Sequence, residues 1–99
     1  MIHALIDTTR VVGSVESGGV PQEVCAEAVG NHDRSGSILT VNLRAYLRTT
    51  EHGHLGETAT PGWLPAPEVV TEHVGAEEAH ELVDDIFASW CRKVADAIP

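Results

Sequence analysis

The sequence predicts an α+β domain in which a small antiparallel sheet of about four strands carries a long C-terminal helix and one short helix. Three observations lead there. From Ala76 to Ala97 the apolar residues recur at three-and-four spacing, which lines one face of a helix. From Ser37 to Thr50 they alternate every second residue, as in a half-buried strand. The other β-branched runs are short and joined by hairpin-length connections, which favours antiparallel strands with helices packed on one face.

In chain order, Ile2–Ile6 (IHALI) and Arg10–Glu16 (RVVGSVE) read as two strands, with Asp7, Thr8 and Thr9 as the hairpin turn. Gly18 and Gly19 break that pattern. Pro21 then stands at a first helical position, Val24, Cys25, Ala28 and Val29 give one apolar face, and Gly30 supplies a left-handed stop. These features predict a short helix of about two turns. Asn31–Gly36 is a polar turn.

In the next strand Leu39, Val41, Leu43, Ala45 and Leu47 alternate with Thr40, Asn42, Arg44, Tyr46 and Arg48. Leu39, Leu43 and Leu47 would also suit a helix, but the Thr and Val content favours a strand. Arg44, Tyr46 and Arg48 then share its exposed face. Glu51–Pro67, rich in Gly and Pro, is a long connection, and such loops tend to be functional or mobile. Glu68–Val74 alternates again and reads as a strand. In the final helix Ala79, Leu82, Val83, Ile86, Phe87, Trp90, Cys91, Val94 and Ala97 form the inward face. Glu77, Glu78 and Glu81 near its start and Arg92 and Lys93 near its end oppose the helix macrodipole, and Pro99 stops it.

The 99 residues make one domain, 1–99, with room for one modest core. Only Tyr46, Trp63, Phe87 and Trp90 are aromatic, so the Phe87 and Trp90 pair is the expected core centre. A formal charge of −9 opposes direct binding to nucleic acid or to an anionic membrane. Protonating all six histidines would leave −3, so a charge-driven partner should respond to acid. No run approaches the ~18 apolar residues of a membrane span. Cys25 and Cys91 sit among apolar residues and read as core thiols. With two cysteines and no basic, cleavable leader, the reading is cytoplasmic.

The best metal candidate is the pair His52 and His54, which point the same way on an extended backbone, with His32, Asp33, Glu51, Glu57 or His73 as a third ligand. No cofactor is expected, with Zn or Mn as the ion that such a cluster could take. Gly30-Asn31-His32-Asp33 resembles the GNHD signature of metallophosphoesterases, and Gly53-His54 resembles their later Gly-His element. The family's Asp-x-His and Gly-Asp elements are absent, so neither its two-metal centre nor its hydrolysis carries over.

The surface of the long helix says more. Glu77, Glu78, Glu81, Asp84 and Asp85 crowd about two and a half turns, a solubilising face or a row of phosphate-like charges for a basic groove. His80 with Asp84, and His73 with Glu77, are spaced to pair and would make the row sensitive to acid. Trp63, between prolines in the long connection, is either tucked against the domain or an interface anchor, with Tyr46, Arg44 and Arg48 completing a patch.

Three functions compete. The first is a non-enzymatic acidic protein-binding module, with an inhibitor that occupies the nucleic-acid-binding site of its target as one form of it. In size and charge alone the chain is similar to small phage inhibitors such as anti-CRISPRs. The second is a small metal-dependent enzyme built on the His cluster, and the third a structural subunit of a larger assembly. Exposed sheet faces and edges are often closed by self-association, so a homodimer is expected.

Overall fold

The computed structural model describes the backbone of residues 3–51, 54–57 and 60–99, and the side chains of residues 5–16, 18–49 and 60–99. In chain order come β1 (His3–Ser17), β2 (Val20–Asp33), β3 (Ile38–Glu51), β4 (His54–Glu57), β5 (Glu68–His73) and α1 (Ala76–Ala97). All pairing is antiparallel. β1 pairs β2 and β2 pairs β3, while β4 and β5 share the far edge of β3, at Arg48–Glu51 and Ile38–Leu43 respectively. The sheet is therefore four strands wide at either level, with α1 on one face. Strands of 14–15 residues account for a molecule 50 Å long and only 18 Å thick.

The predicted strands at β3 and β5 and the long helix are present. The short helix over Pro21–Val29 is not: these residues belong to β2. Val24, Ala26, Ala28, Gly30 and His32 turn towards α1, and Cys25 is fully buried on the opposite side. Burial on both faces removes polar alternation, and a short apolar run then looks the same in a strand as in a helix. Gly30 does not cap a helix; among the described residues the positive φ values are at Gly18, Gly19 and Ser37.

The first two predicted strands are one. Asp7, Thr8 and Thr9 do not turn but pair with Val29, Ala28 and Glu27. The polar Asp7 and Thr9 are exposed, while Ile6 and Val12 pack against the core. A bulge between Val11 and Gly13 breaks the alternation, and beyond it the core side passes to Gly13 and Val15. The true turn is Gly18-Gly19, with φ of 60° and 79°, as a two-residue hairpin of this hand requires.

The polar turn is also shorter than expected, because Asn31–Asp33 complete β2. Asp33 Oδ1 accepts from the Ser35 amide at 3.0 Å and its hydroxyl at 2.8 Å, which ties the start of the loop back to the end of β2. The long connection after β3 contains β4.

The core forms where α1 lies across the sheet. From the helix, Ala79, Val83, Phe87, Trp90, Cys91 and Val94 are buried; from β3 come Leu39, Val41, Leu43 and Leu47. The small residues of β2 let the helix close in. At Gly30 a Cβ would stand 2.9 Å from Val83 Cγ2, inside van der Waals contact. Trp90 Nε1 donates to the Arg44 carbonyl at 2.9 Å, satisfying the one polar atom of the largest core ring. His32 is 1% exposed and its Nε2 donates to the Val74 carbonyl at 2.7 Å, tying β2 to the segment that enters the helix.

Trp90→Ala should cost about 3–5 kcal/mol in denaturant unfolding, since it opens a cavity and leaves a buried carbonyl without its donor. Gly30→Val should cost about 1–3 kcal/mol by overpacking against Val83. A Trp90→Ala midpoint equal to that of the parent would place the wrong face of α1 inside.

Candidate functional site

α1 separates two chemistries. Its apolar stripe faces the sheet, and Glu77, Glu78, His80, Glu81, Asp84 and Asp85 are exposed. Among the described residues no ion pair engages any of these five carboxylates, and no hydrogen bond joins His80 to Asp84 or His73 to Glu77.

The cationic residues of the sheet's outer face are arranged differently. Arg44 Nε meets Glu27 Oε1 at 2.7 Å and Arg48 Nε meets Glu23 Oε1 at 3.2 Å, each across the β2–β3 register. The Arg44 guanidinium also lies 4.3 Å from the centre of the Tyr46 ring. Burial raises the Tyr46 phenol above its ordinary pKa of 10.0, with nearby Cys25 and Glu27 pushing the same way, so it stays neutral near pH 7. Arg44, Tyr46 and Arg48 do share this face, as the alternation predicts, but carboxylates already answer both cations.

α1 packs over β1, β2 and β3 and leaves β5 uncovered. The result is an open groove of about 380 Å³ between helix and strand, floored by Leu43, Val70, Ile86 and Trp90. At its rim Lys93 Nζ reaches Glu68 at 3.0 Å and lies 5.6 Å from the Trp90 ring. Asp85 also lines a neighbouring hollow of about 370 Å³ with Val74, Leu82, Glu78 and Glu81. Three of the carboxylates in the helical row thus border an apolar surface.

This groove was hidden in the sequence. Leu82 and Ile86 read as core residues on an apolar stripe, yet both are only half-buried. The stripe is wider than the contact with the sheet, and that excess width is the available signal.

Trp63 is half-buried and packs against the core, with Leu64 buried beside it and the Leu64 amide closing a turn onto the Pro61 carbonyl at 3.3 Å. It stands apart from the residues that line the groove.

The predicted metal ligands are not brought together where they can be placed. His52 lies outside the described residues. His32 pairs with Leu39, whereas His54 pairs with Glu51, twelve positions further along β3 and so about 40 Å away by strand rise. His32 is buried and bonded to a carbonyl, and Asp33, next along the strand, turns to the other face. His32 and Asp33 of the GNHD tetrapeptide therefore do not converge on one ion. Among the described residues no group of three or more His, Cys, Asp or Glu side chains converges.

No disulfide is present among the described residues: Cys91 faces the sheet from α1, and Cys25 is on the sheet's far side. Burial pushes the Cys91 thiol above its ordinary 9.0, only partly offset by Arg10 and Arg92. A raised pKa keeps the thiol protonated, unlike an activated nucleophile. No family model, curated protein or solved structure matches the chain.

Native Cys25 and Cys91 should resist a thiol reagent at pH 8 and react on unfolding. Because the folded thiol of Cys91 has the higher pKa, its contribution to stability is complete below pH 9.0 and falls as pH rises through the folded value. Replacing Cys91 with Ala should flatten that alkaline slope in a pH series of unfolding midpoints.

Proposed function

We propose that this protein is a non-enzymatic binding module that presents the exposed row Glu77, Glu78, Glu81, Asp84 and Asp85 to a basic partner protein. The observation that carries this reading is the contrast between the two faces. Arg44 and Arg48 on the sheet are neutralised by Glu27 and Glu23, while the carboxylates of α1 have no cationic partner among the described residues. Unanswered like charges three or four apart cost a helix some tenths of a kcal/mol per pair, a cost that a partner's lysines and arginines would turn into attraction. A basic surface evolved for phosphate is such a partner, so inhibition at a nucleic-acid-binding site is the activity that fits.

A second reading rests on the uncovered sheet face. Leu5 is 70% exposed there and Val69 64%, which favours closure by a second copy and a homodimer or subunit role.

The triple variant Glu81→Gln, Asp84→Asn, Asp85→Asn tests the first reading. Its unfolding midpoint should equal or exceed that of the parent. Partners captured by the immobilised parent at 0.1 M salt should be lost from the variant and displaced from the parent by duplex DNA. Partners held equally by both proteins would remove the acidic row from the function. Light scattering of the parent decides the second reading, which requires a mass above that of one chain.

A further inference from the structure

The geometry points to β5 and its groove as a strand-addition site for an extended partner segment whose α1-facing side carries an apolar residue and, two positions along, lysine or arginine. This rests on the binding-module reading and specifies how the partner is held.

β5 is a sheet edge. Among the described residues it pairs only with β3, so every second residue turns its N–H and C=O outward, ready for another strand. A strand laid there would stand ~4.8 Å beyond β5, below the flank of α1. Its inward side chains would meet the apolar floor at Val70 and Ile86.

Charge selects the occupant. The side of β5 that faces α1 carries Glu68, Val70 and Glu72, opposite Leu43, Val41 and Leu39 of β3. Glu68 is held by Lys93, but Glu72 is exposed and, among the described residues, has no ion pair; Glu78, Glu81 and Asp85 line the hollow next to it. A second copy adding its own β5 would set glutamates against glutamates, an arrangement that opposes pairing. Lysine or arginine two positions from an apolar anchor, and so on the same side of the added strand, would instead answer Glu72 across the strand and the helix acids above it.

The test uses the whole protein and three labelled peptides in fluorescence anisotropy at 50 mM salt. One is an eight-residue peptide with lysine and valine in turn at every second position and threonine between them, one has glutamate in place of lysine, and one is the lysine peptide N-methylated at alternate residues. Binding of the lysine peptide alone is expected, with a loss of roughly fivefold in Glu72→Lys from reversing one cross-strand charge. Equal binding of the N-methylated peptide would overturn strand addition. So would an unchanged affinity in Glu72→Lys, or failure of the lysine peptide to bind. If the lysine peptide binds normally to Glu72→Lys but not to the Glu81, Asp84 and Asp85 triple variant, the acidic row survives and strand addition fails. Loss in Glu72→Lys with full binding to the triple variant has the opposite meaning: the edge site stands without the row.

Discussion

The close approach of α1 to the small-residue row of β2 sets the architecture of this molecule. Val24, Ala26, Ala28, Gly30 and His32 form the bed on which the helix lies, and Gly30 is the point where Val83 leaves no room for a Cβ. Larger side chains there would lift a 22-residue helix off the sheet and expose the apolar floor that its stripe covers. The bulk that fills the interior comes instead from Leu39, Val41, Leu43 and Leu47 on β3, with Phe87 and Trp90 facing them. Two polar contacts fix the placement, Trp90 to the Arg44 carbonyl and His32 to the Val74 carbonyl. Both pair buried polar atoms that would otherwise be costly to desolvate.

Centring the helix on β2 leaves it off-centre on the sheet. One side reaches β1, where Arg10 lies 5.2 Å from the Phe87 ring and Ile98 fills the space above Gly13. On the other side the helix stops short of β5, and Leu82 and Ile86 are left half-covered above Val70 and Val74. The groove is a direct result of this offset. Its acidic border follows from helical periodicity, because residues flanking the buried stripe must also meet the outward carboxylate row.

The two faces of the molecule handle charge in different ways. On the sheet, acids and bases come from neighbouring strands at matched register, so Glu23 and Glu27 oppose Arg48 and Arg44 directly. On the helix the row from Glu77 to Asp85 has no facing strand to supply cations. Of the −9 net charge, the part on the helix is therefore the part most available to a partner.

The long helix and β3 were legible in the sequence because each is covered on one side and open on the other, so periodicity survives; β5, which α1 leaves uncovered, was legible from its short β-branched run. The outward placement of Arg44, Tyr46 and Arg48 and the exposure of the acidic row followed from the same periods. Tertiary structure decided the rest. β2 is covered on both faces near Cys25, and that erased the alternation that would have separated it from a helix. The polar run Asp7-Thr8-Thr9 lies inside β1, paired with Val29, Ala28 and Glu27, so one strand read as two. His32 and His54 are chemically alike, but only the register of β2 and β4 on β3 reveals the distance between them. The groove beside β5 depends on where the helix rests, and that was decided by Gly30 meeting Val83, a contact between residues 53 positions apart that no local pattern records.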